Sequence, residues 1–145
     1  MTDYQKQGKK NRASGAAFER KVRKDLEGKD WIVSKWMNNV EFHNDEDANE
    51  FIFTVGKLIP AKHKFRGPGI PMAIGTGFPD FIALKEDSIY QMYKVNGVEV
   101  KSNGYLTKEE KEKCKWLLEH KVFSIILIAS KGKKRGEIVY KEFEE

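Results

Sequence analysis

Gly77-Phe78-Pro79-Asp80-Phe81-Ile82-Ala83-Leu84, followed by Gly97-Val98-Glu99-Val100-Lys101, is the stretch that decides the fold. Each piece is a short apolar run of strand-forming residues with charge placed at one point. Runs of Phe, Ile, Val and Leu are stable when buried, and a buried carboxylate without a partner costs several kcal/mol. Two such carboxylates, Asp80 and Glu99, on neighbouring strands would also repel each other. A divalent cation between them resolves both problems. Lys101 lies two residues after Glu99 and so shares its face of the strand.

Context, rather than the triplet, carries this reading. Glu-x-Lys also occurs at Glu19-Lys21, Glu27-Lys29, Glu109-Lys111 and Glu119-Lys121, all in charged, helix-like surroundings. Only Glu99-Lys101 sits in a β-type run and follows a Pro-Asp strand, and Pro79-Asp80 is the one Pro-Asp pair in the chain.

The chain has 145 residues, a size that suits one domain with a single core. No apolar run approaches the roughly 20 residues that span a bilayer. The N-terminus lacks the apolar segment of a signal peptide, so a cytoplasmic location is expected, without membrane partners. A single cysteine, Cys114, excludes an internal disulfide and a cysteine-based zinc cluster. It falls on the apolar face of a helix and reads as a small buried hydrophobe. His43, His63 and His120 show no ligand spacing, and no small-molecule cofactor is expected.

Net charge is +5, concentrated in two places. One is the N-terminal stretch with Lys9, Lys10 and Arg12, and the other holds Lys133, Lys134 and Arg135. Such clusters attract a phosphate backbone.

Residues 1–13 are polar and aperiodic and are expected to form a basic flexible tail. Residues 14–145 are expected to form one domain. Ser14 caps a helix to about Glu27, with Phe18, Val22 and Leu26 as its apolar row and Gly28 as its stop. Asp30 to Met37 reads as a strand. Asn38 to Gly75 reads as an insertion, a strand or hairpin followed by an ordered loop. Strands follow at Phe78 to Leu84 and Tyr90 to Lys101, then a helix from Lys108 to His120. Further strands are expected at Phe123 to Ala129 and Glu137 to Tyr140. Thr107 with Glu110 forms a capping box. This order implies an α/β fold with a mixed central β-sheet flanked by helices.

Phosphodiester hydrolysis needs an attacking hydroxide, a Lewis acid and relief of charge on the leaving oxygen. Mg²⁺ takes one or two carboxylates, waters and phosphate oxygens. Asp80 and Glu99 meet that need, with the Val100 carbonyl as a third protein ligand. Lys101 could orient or deprotonate the attacking water, or stabilise charge on the phosphate. Glu19 lies beside the apolar face of the first helix, where it could reach the metal directly or through water; alternatively it pairs with Arg23 four residues on. Lys62, Lys64 and Arg66 precede the Asp80 strand and could line a DNA groove, and the nearby glycines, Gly77 included, would let backbone approach a phosphate. Trp31 and Trp36 read as core.

Gly15-x-x-Phe18-Glu19-Arg20, Gly77-Phe78-Pro79-Asp80, Val98-Glu99-Val100-Lys101 and the Leu106-Thr107 helix start together resemble the PD-(D/E)xK nuclease superfamily. Within it the chain is most similar to archaeal-type Holliday junction resolvases and their viral relatives. The resemblance implies a restriction-endonuclease-like fold, Mg²⁺ or Mn²⁺ at Asp80 and Glu99, Lys101 in catalysis and Glu19 near the metal. It further implies a homodimer that cuts branched DNA. Superfamily relatives often carry glutamine where Glu110 stands here. The alternatives are a restriction or repair-type nuclease acting on duplex or single-stranded DNA, an inactive nucleic-acid-binding module of the same fold, and a buried structural ion cluster.

Overall fold

We describe a computed structural model covering residues 2–44, 54–65, 67–69, 73–74 and 77–144. Its first element is helix α1 (Asp3–Glu27). The stretch expected as a flexible tail is the first half of this helix, which starts well before Ser14. Thr2 supplies the cap: its hydroxyl accepts the Gln5 N–H, and the Gln5 side chain accepts the Thr2 N–H at 3.0 Å. Asp3 adds a negative charge at the positive end of the helix dipole. Only Phe18, Val22 and Leu26, four residues apart, are buried, so the basic first half projects without core contacts.

After α1 come β1 (Ile32–Lys35), β2 (Asn38–Asn44), β3 (Thr54–Pro60), β4 (His63–Lys64) and β5 (Ala73–Ile74). Then follow β6 (Phe81–Asp87), β7 (Met92–Val100), helix α2 (Lys108–Glu119), β8 (Ile125–Lys131) and β9 (Ile138–Glu142). Five strands form the central sheet in the order β1-β6-β7-β8-β9. All neighbours are antiparallel except β7 and β8, which run parallel because α2 carries the chain back between them.

The two faces of the sheet are covered by different elements. Phe81 and Ala83 of β6, Val98 of β7 and Ala129 of β8 meet Phe18, Val22 and Leu26 of α1. The alternate residues Ile126 and Ile128 of β8 join Cys114 and Leu117 of α2 on the other face. This explains why β8 is so apolar along its middle: both of its sides are interior. Trp31 packs with the first cluster and Trp36 with the second, where its ring meets Phe123 edge-on at 5.0 Å.

The segment expected as an insertion is partly core. β2 and β3 form an antiparallel hairpin, from Asn38↔Pro60 to Asn44↔Thr54. Val40 from it is buried in the α2-side cluster. The acidic patch beyond Asn44 and the apolar run Phe51 to Phe53 lie outside the described residues. No described helix is long and apolar enough to cross a membrane.

Candidate active site

Strand register brings the two carboxylates together. Phe81 pairs with Val98, and one further step along the same antiparallel ladder sets Asp80 against Glu99. Side-chain alternation puts both on the α2 side, opposite Phe81 and Val98. The Asp80 corner is held by backbone. Its carbonyl accepts the Trp36 N–H at 3.1 Å, and Phe78 N–H donates to the Asn38 carbonyl at 2.8 Å. Any side chain on Gly77 would collide with the Trp36 carbonyl and the Asn38 backbone. Gly77 therefore serves a close approach to the protein's own chain, where a phosphate contact was the expectation.

Asp80, Glu99, Val100 and Lys101 line one cleft of about 540 Å³, with Glu19, Thr107, Glu110 and Lys113 around it. Asp80 Oδ2 accepts the Val100 N–H at 2.8 Å, which fixes the carboxylate against β7. Glu99 is only 5% exposed. Burial, with Asp80 adding to it, pushes the Glu99 carboxyl up to about 8. Asp80 is also raised by burial, which outweighs its hydrogen bond from Val100. Two adjacent carboxyls pushed upward want positive charge.

Lys101 supplies some of it. Its Nζ lies 3.4 Å from Glu99 Oε1 and 2.5 Å from Glu110 Oε1. Burial alone would lower the lysine, but the bond to Glu110 and the field of Glu99 overcome this and raise it. Glu110 is thus shared: Oε1 holds Lys101 while Oε2 accepts the Thr107 N–H at 2.8 Å in the expected capping box.

Glu19 reaches the cleft from α1 but does not pair with Arg23, which is bound to Glu27 at 2.9 Å. Its partner is Lys35, with Nζ 2.6 Å from Glu19 Oε2 and 4.7 Å from the centre of the Phe81 ring. Lys35 also faces Asp80 electrostatically, so it belongs to this charge cluster. Sequence reasoning missed it. The available signal was its place one strand away from Asp80, a pairing that only the β1–β6 register reveals.

The donor residues available to a cation are Asp80 and Glu99, with Val100 beside them on the same cleft as the expected source of a backbone carbonyl. Among the described residues no three His, Cys, Asp or Glu side chains converge as a ready-made metal cluster. Glu19 stands at the rim, engaged by Lys35. The chemistry of the pair fits Mg²⁺ or Mn²⁺, which retain waters and need few protein ligands.

The expected nucleic-acid-binding residues are dispersed. Lys9, Lys10 and Arg12 lie on the projecting half of α1, and Lys133, Lys134 and Arg135 on the β8–β9 turn. Lys62 is tied to Glu41 at 2.5 Å. Lys64 is described only through its backbone in β4, and Arg66 lies outside the described residues. Cys114 is fully buried, and burial pushes its thiol up to about 12, as an inert core residue requires. No family model, no curated protein and no solved structure matches this chain.

Proposed function

We propose that this chain is a metal-dependent DNA endonuclease of the PD-(D/E)xK type, with a restriction-endonuclease-like fold and branched DNA as its preferred substrate. One observation carries the proposal: a buried carboxylate, Glu99, and a half-buried one, Asp80, repel each other beside Lys101 on an open cleft. A fold selected only for stability has little use for that arrangement.

In this reading Asp80, Glu99 and the Val100 carbonyl hold Mg²⁺ or Mn²⁺. When bound, the ion supplies Lewis-acid stabilisation of charge developing on the scissile phosphate. The protein's own contribution is positional. The Val100 N–H occupies one oxygen of Asp80, so the other is the one that would serve the ion. Glu110 keeps Lys101 charged and within reach of Glu99, where it can orient the attacking water or neutralise the phosphate. Lys35 holds Glu19 beside Asp80 without adding another free negative charge. The motif resemblance extends the proposal to a homodimer that cuts two strands of a four-way junction symmetrically.

A second reading is favoured by the saturation of the cluster, since Glu19 is bound by Lys35 and Lys101 by Glu110. Here the charges are structural and the protein binds nucleic acid without cutting it. A cleavage assay separates the two. Four-way junction, duplex, single-stranded and flap DNA are incubated in Mg²⁺ or EDTA, with Asp80→Ala as the control protein. Symmetric, metal-dependent junction cuts that vanish in the variant are the expected result. Cutting of plain duplex or single strands keeps the nuclease and removes the junction preference. Tight binding without cleavage in Mg²⁺ or Mn²⁺ selects the second reading.

A further inference from the structure

Some cations of this protein have acidic partners: Lys29 with Asp25, Lys35 with Glu19, Lys94 with Asp87, Lys113 with Glu109. The β8–β9 turn gathers cations without such partners in one place. Lys131, Lys133, Lys134 and Arg135 face Lys21 of α1 across a notch of about 420 Å³, whose walls include Phe18 and Ile138. None of these five makes an ion pair with a described residue. The one carboxylate in the notch, Glu137, is exposed but folds back over Gly132 of the turn, and its Oε2 accepts the Lys134 N–H at 3.0 Å. Lys131 Nζ rests 5.5 Å from the centre of the Phe18 ring.

The turn is built rather than loose. Gly132 N–H donates to the Glu137 carbonyl at 2.9 Å, and Glu137 N–H donates to the Lys134 carbonyl at 3.1 Å. Gly136, at φ 84°, closes it in a conformation that side chains disfavour. Four cations on this fixed turn and Lys21 of α1 beside them repel one another, and a polyanion lying across them relieves that repulsion.

Location gives the notch its meaning. β8 runs parallel to β7 with Val100 opposite Ala129, and Lys131 N–H donates to the Ser102 carbonyl at 3.3 Å. The turn therefore stands at the same end of the sheet as Asp80 and Glu99. α1 runs between the two, with Phe18 lining the notch and its neighbour Glu19 lining the cleft.

We propose that this notch is a second phosphate-backbone site, which grips a nucleic-acid strand where it leaves the cleft and crosses α1. The proposal rests on the nucleic-acid reading and deepens it: the substrate is a polymer long enough to engage both places at once.

The test is binding of a duplex of about thirty base pairs in EDTA, followed from roughly 50 to 200 mM salt. The triple variant Lys133→Gln, Lys134→Gln, Arg135→Gln is expected to flatten the log–log salt slope by about 2.7, at about 0.9 for each phosphate no longer neutralised. Lys21→Gln with Lys131→Gln should flatten it by about 1.8. Lys94→Gln with Lys121→Gln, at the opposite end of the sheet, should leave it unchanged. Unchanged slopes in both notch variants, or an equal change in the distant pair, would overturn the site. Displacement of the duplex by a few millimolar inorganic phosphate at constant ionic strength would also overturn it, by marking a lone-anion pocket. Because no cleavage is involved, notch-dependent binding by a protein that never cuts would retain the notch and reject the endonuclease. A protein that cuts while its notch variants bind normally would do the reverse.

Discussion

Asp25 and Glu99 are both carboxylates beside the central sheet, and the fold treats them in opposite ways. Asp25 Oδ2 accepts the Tyr140 hydroxyl at 2.7 Å and meets Lys29 Nζ at 2.7 Å. Its partial burial would raise it, but those two bonds win and hold it below the ordinary carboxylate range. The same bond, after burial, drives the Tyr140 phenol upward. Glu99 is deeper, has a second carboxylate as its neighbour and shares its lysine with Glu110. One region is satisfied and the other is left in want of charge. Carboxylates of the second kind cluster at functional sites, which is the basis of the proposed reading.

The largest test of this contrast is catalytic. Asp80→Ala should lower metal-dependent cleavage by more than about a hundredfold, beyond the loss of an outer-shell metal partner. Initial rates on labelled DNA measure it. An equal loss of rate on Asp25→Ala would erase the distinction between the two regions.

Stability should respond with the opposite sign. Glu99→Gln removes the repelled charge, so in EDTA at pH 8 it should raise the unfolding free energy by about 1–3 kcal/mol. Urea titration reads this directly, and a destabilised variant would show Glu99 to be a satisfied structural group instead.

The pH dependence of the metal-free protein sharpens the same point. Glu99 titrates near 8 when folded and near 4.5 in its unperturbed state. Between those values the folded chain keeps a proton that the unfolded chain releases. Stability conferred by this group is therefore full below about 4.5, declines as pH rises toward about 8, and is flat above. Mg²⁺ should stabilise more strongly as pH rises through this window, because its ligands must be ionised. Thermal unfolding across pH, with and without Mg²⁺, checks both trends.

The smallest effect belongs to the satisfied region. Tyr140→Phe should cost about 1 kcal/mol by removing one hydrogen bond to a partly exposed carboxylate. The loss should be the same with or without Mg²⁺, and any metal dependence would tie that corner to the cleft.

Local signals were legible in the sequence wherever neighbours along the chain decide the outcome. The Thr107–Glu110 box, the α1 row of Phe18, Val22 and Leu26, and the alternation around Asp80 and Glu99 all lie within a few residues. The structure has them where the patterns place them. The start of α1 was equally local but subtle, because a basic polar stretch hides a Thr2–Gln5 cap. Long-range relations were not legible. Lys35 meets Glu19 across sixteen residues, and Val40 enters the core only because the β2–β3 hairpin folds onto α2. Both depend on tertiary packing, which carries no short-range pattern.

Glu110 spends its two oxygens on two tasks, one closing the first turn of α2 and one holding Lys101. Fraying of that turn and release of the lysine are consequently coupled through one side chain. Amide protons at the start of α2 therefore become a probe of the cleft: a change that frees Lys101 from Glu110 should also change how fast they exchange with solvent. A substitution that loosens the helix start, such as Thr107→Ala, would then reach Lys101 through Glu110, leaving Asp80 and Glu99 themselves unaltered.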